Sequence, residues 1–188
     1  MNELSVYIKL GLTHIADYKG YDHILFIVTL CSIYKISDWK KIGVLVTAFT
    51  IGHSLTLALA ALKIIVVNSY IIELLIPITI LITCLLNLYF SNKHKHGVFH
   101  YILALSFGLI HGMGFSNFFT SIAIDDNILF ELFGFNLGLE LGQLLIVGLF
   151  FLLYYLVSLA SKVNHKYWQA FFSGVGGMMA IMLIIQRI

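Results

Sequence analysis

Charge is what this chain has least of. Asp, Glu, Lys and Arg make up 11% of its 188 residues, where soluble globular chains carry about 25%. A soluble domain of any size is excluded. The formal net charge is +2 and no basic block extends beyond Lys40-Lys41, so there is no footprint for DNA or RNA. Cysteine is also scarce: Cys31 and Cys84 both stand inside apolar stretches, where an unpaired thiol packs as a small hydrophobe and reports no redox compartment. The first twenty residues have no basic start and no small-residue cleavage pattern and carry Glu3, so a removable leader is not expected. No repeat or low-complexity tract stands out.

What remains is apolar. The chain is 60% hydrophobic and 14% aromatic, with a mean hydropathy of +0.97, the profile of a membrane protein. A crossing takes roughly 20 residues, and apolar runs place spans near residues 20–34, 42–62, 69–90, 98–122, 128–159 and 167–185. The expected fold is all-α: a polytopic membrane helix bundle of about six transmembrane helices forming one integral membrane domain over 1–188. The stretch 4–15 is too short to cross and reads as an interfacial or re-entrant helix that brings His14 to the membrane surface. The start of the fifth run, interrupted by Asn136, Glu140 and Gln143, reads as a tilted or surface segment. Seven lysines (Lys35, Lys40, Lys41, Lys93, Lys95, Lys162, Lys166) fall in odd-numbered connections, against Lys9, Lys19, Lys63 and Arg187 on the other side, where Asp125 and Asp126 also lie. The positive-inside rule then puts both termini outside the cytoplasm.

Ionisable groups inside these runs are costly, about 2.5–3.5 kcal/mol for a central Asp or Lys on insertion scales. They persist mainly where they face a cavity, a partner or a metal. Asp22 and His23 open the first run, His53 and Ser54 sit in the second, Glu73 in the third, His111 in the fourth, and Asn136, Glu140 and Gln143 in the fifth. At 1.5 Å per residue, outward-running spans carry these groups late and inward-running spans carry them early, so all converge on the outer half. Thr47, Thr50, His53 and Ser54 share one helical face, and Asn136, Glu140 and Gln143 share another. Gly134, Gly138 and Gly142 form a small-residue seam opposite that second face, and Gly108 and Gly112 bracket His111, inviting a neighbouring backbone. Imidazoles with carboxylates and no thiolate suit nickel, cobalt or zinc. The expected site is His23, His53 and His111 with Asp22 and Glu140, with Ser54, Glu73, Asn136 and Gln143 around it.

Blander roles stand beside these. Ser54 and Thr50 can bond back to helix carbonyls, Asn87 can glue helices together, Glu73 can lie at the interface, and His94, His96 and His100 read as a solvated inner loop.

The stretches GLTHIADYKGYDHILF (11–26), FTIGHSLTL (49–57), FGLIHGMGF (107–115) and FNLGLELGQ (135–143) together resemble the HupE/UreJ family of small bacterial membrane proteins. The resemblance implies a multi-pass protein of the bacterial inner membrane, a nickel or cobalt permease tied to hydrogenase or urease maturation. It also implies metal handling by His14, Asp22, His23, His53 and His111, with Glu140 from the fourth motif. In the hydrogenase-linked branch a proline follows the first-motif histidine and a Glu stands beside the His of the later motif. Here Ile15 follows His14 and Glu140 is distant from His111, which points to the broader branch. The alternative is an intramembrane zinc hydrolase acting on a lipid or lipid-linked substrate. His23, His53 and His111 would hold the metal, Asp22 or Glu140 would act as base, and Ser54 would steady an oxyanion. That constellation also resembles the ceramidase and adiponectin-receptor group. Expected partners are membrane lipids and the metal ion; a homo-oligomer is left open.

Overall fold

The computed structural model describes residues 3–18, 20–65, 68–89, 98–122 and 128–188. Among them are seven α-helices and no strand: α1 (Glu3–Ile15), α2 (Asp22–Cys31), α3 (Trp39–Ala61), α4 (Ser69–Tyr89), α5 (Val98–Ile122), α6 (Ile128–Ser161) and α7 (His165–Arg187). Five of them, α3 to α7, are long and apolar enough to cross a membrane. Leucines such as Leu141, Leu145, Leu149 and Leu152 of α6 face outward, as expected of a helix whose surroundings are lipid. The interior is aromatic, with Phe26, Phe49, Phe119 and Phe135 buried.

Glycine decides which helices touch. A methyl group added at Gly52 would run into the carbonyl oxygen of Leu105, and one added at Gly108 into that of Phe49, so α3 and α5 lie backbone to backbone. On the other side of the molecule, Gly138 meets the Ile8 carbonyl and Gly11 the Phe135 carbonyl, joining α1 to α6. Both seams expected from sequence are thus in use, as small residues permit in lipid.

For three elements the structure adds what the sequence does not give. α1 lies along α6, with Leu4 and Tyr7 at Gly134 and Ile15 at Gly142, because that glycine edge gives a short helix a surface to bury against. The run over 20–34 yields only the ten residues of α2, about 15 Å and half of a roughly 30 Å hydrocarbon core. That helix stops where the Ser32 hydroxyl turns back to the Thr29 carbonyl (2.8 Å) and His165 takes up the Tyr34 carbonyl (2.7 Å). The fifth run is one continuous helix of 34 residues, two of whose polar side chains find partners on α3. His100 lies in α5 and is buried, so it does not belong to a solvated loop. His94 and His96, with Lys19, Lys93, Lys95, Asp125 and Asp126, lie outside the described residues.

Candidate metal centre

Four helices deliver imidazoles to one place. His14 comes from the last turn of α1, His23 from the first turn of α2, His53 from α3 and His111 from α5. One ring nitrogen from each of His14, His23 and His53 lies within 4.8 Å of the other two. An ion that holds nitrogens at about 2.1 Å needs them no more than about 4.2 Å apart, so a small inward movement of the rings completes the set. His111 stands directly beside this trio, its ring centroid 5.1 Å from that of His23. The His14 ring packs among His23 (4.7 Å), His53 (5.8 Å), Phe115 (3.8 Å) and Phe135 (5.6 Å).

The hydrogen bonds fix which nitrogens remain available. His23 Nδ1 donates to Asp22 Oδ1 at 3.0 Å, and the His23 backbone N–H donates to the same oxygen at 2.9 Å. His111 Nδ1 donates to the Phe107 carbonyl at 2.8 Å. In a neutral imidazole the other nitrogen then carries the lone pair, so Nε2 of His23 and Nε2 of His111 are acceptors. Both are buried without a partner, as are Nε2 of His14 and both nitrogens of His53. A buried polar atom without a partner is costly, and here three side chains bring such atoms together, with His111 beside them. The Asp22–His23 pair is the carboxylate–imidazole support that metal-binding histidines usually have.

Glu140 and the polar stripe of α6 are placed elsewhere. Thr47 donates to Glu140 Oε1 and Thr50 to Gln143 Oε1, each at 2.7 Å, so the two polar faces read from sequence meet along the α3–α6 contact rather than at the imidazoles. Asn136 Oδ1 is buried and unpartnered. The Ser54 hydroxyl donates to the Thr50 carbonyl at 2.6 Å. Asn87 bridges helices, its Nδ2 donating to the Thr29 carbonyl of α2 at 2.7 Å.

A cleft of about 480 Å³ reaches the cluster, lined among others by His14, His23, His111, Asp17, Glu73 and Arg187. Arg187 went unrecognised in the sequence: its Nη2 lies 3.4 Å from Asp22 Oδ2 and its Nη1 donates to the Glu73 carbonyl. No local pattern could have paired residues 165 positions apart. Phe115 was within reach, since it closes the same motif that carries His111.

The family model described as HupE / UreJ protein matches residues 1–187, essentially the whole chain. No curated protein and no solved structure matches it.

Proposed function

The chain belongs to the HupE / UreJ family, and from that premise we propose that it is a divalent transition-metal permease whose cargo, nickel or cobalt by family association, is held by the imidazoles of His14, His23, His53 and His111. The observation that carries this reading is the set of buried, unpartnered nitrogens on four helices at the end of an open cleft. Borderline divalent ions take such nitrogens readily, and the carboxylates of Asp17, Glu73 and Asp22 near the mouth favour a cation. Asp22 holds His23 in the ligating tautomer. A hydrolytic reading lacks the same support, because Ser54 donates its hydroxyl hydrogen to Thr50 and Glu140 is engaged by Thr47. The test is uptake of nickel, cobalt and zinc into proteoliposomes. Uptake of at least one ion that His53→Ala abolishes supports the reading. Absence of uptake of all three by the wild-type protein, with the metal bound, refutes it.

A further inference from the structure

The two glycine seams are copies of each other. Gly-Leu-x-His occurs at 11–14 on α1 and at 108–111 on α5, while F-T-I-G-H-S-L (49–55) on α3 matches F-N-L-G-L-E-L (135–141) on α6. Matched positions make matched contacts. A methyl at Gly11 would meet the carbonyl of Phe135 and, at 2.8 Å, the amide of Leu139; at Gly108 it would meet the carbonyl of Phe49 and, at 3.1 Å, the amide of His53. Gly138 faces the carbonyl three residues before Gly11, and Gly52 the carbonyl three residues before Gly108. The pair α1–α6 is thus built like the pair α5–α3, and in both pairs the contacting residue numbers rise together, so the partners run in parallel. No repeat tract is visible in the sequence because only these short patterns recur.

The remaining long helices complete the relation. α4 and α7 pack antiparallel, Arg187 against Glu73, Gly176 against Cys84, and Gln169 against Asn87, as two equivalent helices do across a two-fold axis perpendicular to them. α1 and α2, of thirteen and ten residues, meet at His14 and His23 and together approach the 25 residues of α5, a length that suits a broken counterpart of it. Such inverted repeats put a substrate site at their junction, next to broken helices, and exchange access between the two ends. The imidazole cluster stands at that junction: His14 and His111 are equivalents. So are Phe49 and Phe135, whose rings flank His53 at 6.1 Å each.

The symmetry exchanges α4 with α7 and so relates the two ends of their contact, along which α2 packs. At one end, Arg187 of α7 reaches the Glu73 carbonyl of α4 and the Asp22 carboxylate of α2, beside the open cleft. At the other, Gln169 of α7 donates to the Asn87 carbonyl of α4 at 2.7 Å, and the Asn87 side chain reaches the Thr29 carbonyl and Ser32 Oγ (3.3 Å) of α2. The two links are eighteen residues apart on α7, about 27 Å. Ser173 joins the second link, its hydroxyl 3.5 Å from that of Ser32. Thr29, Ser32, Asn87, Gln169 and Ser173 of this second link are all buried, an unusually polar filling for a membrane interior.

We propose that residues of α1–α4 and α5–α7 form inverted repeats meeting at the histidine cluster, and that Asn87 and Gln169 latch the far end of the α4–α7 contact, where the ion leaves between α2, α4 and α7. This rests on the transport reading. The latch joins the three helices as long as the cluster is open at the Arg187 end, and parts when the repeats exchange conformations.

Cys84 reports on it, being 1% exposed, one turn from Asn87, and beside Gly176 and Thr29. In a Cys31→Ser background reconstituted in liposomes, Ni²⁺ is expected to speed labelling of Cys84 by a small water-soluble thiol reagent about ten-fold, as an open population rising by that factor requires. His53→Ala removes this nickel effect. Asn87→Ala labels fast without metal, while a cysteine at buried Ala104 of α5 stays unlabelled in that variant. The proposal is overturned if bound nickel, verified by dialysis, leaves Cys84 labelling unchanged, if Asn87→Ala labels no faster, or if Ala104→Cys labels equally fast. Failure of nickel to bind at all refutes the transport reading instead, and the Asn87→Ala and Ala104→Cys rates then decide the latch alone.

Discussion

At the scale of single residues, the four histidines differ in how they are held. His23 and His111 each have Nδ1 committed, to Asp22 and to the Phe107 carbonyl, whereas both nitrogens of buried His53 are without a partner. His53→Ala is therefore expected to remove a ligand with little loss of supporting hydrogen bonds, and metal content of the purified protein should fall sharply. Asp22→Asn keeps the size of the side chain but loses the charge behind the imidazole, and support of this kind is typically worth 10- to 100-fold in metal affinity. Equilibrium dialysis should show a drop in that range with the fold intact. Ser54→Ala, which removes only a bond to its own helix, should leave affinity and uptake close to wild type. Uptake lost in Ser54→Ala with metal retained would return the hydroxyl to the site.

Among the elements, the account turns on two backbone contacts. Gly138 and Gly52 each admit a carbonyl oxygen of the neighbouring helix where a methyl group would stand, and overpacking of this kind costs about 1–3 kcal/mol or more. Gly138→Ala and Gly52→Ala should each lower the thermal unfolding midpoint in detergent. Gly148 has nothing within 4 Å of an added methyl, so Gly148→Ala should leave it unchanged or raise it slightly, alanine being the better helix former. Equal loss in all three would show that helix propensity, not the seam, is being measured. These seams were legible in the sequence as small residues at four-residue spacing, and so were the long apolar helices. The place of α1 was not: its thirteen residues are too few to span, and nothing local shows that α6 offers a matching glycine edge. Glu140 shows a related limit. Depth and helical face put it near the histidines, but its helix turns it toward Thr47, and the choice between two neighbours on one face is made only by packing.

At the scale of the whole molecule, α1 and α2 together with five long helices bring the chain across the membrane six times in the proposed arrangement, so residues 3 and 187 lie on one side. From the lysine distribution we propose that this side is the outer one, and a reporter fused after Arg187 should then be active only outside the cytoplasm. Activity confined to the cytoplasm would invert the protein and turn the cleft into an exit. The central claim is that one divalent ion is held by imidazoles from separate helices. X-ray absorption at the nickel edge of the loaded protein tests it most directly. The account predicts a nitrogen-rich shell with the outer-shell scattering of at least three imidazoles, reduced by one in His53→Ala. A shell dominated by water oxygen or by sulfur, unchanged in His53→Ala, would contradict it.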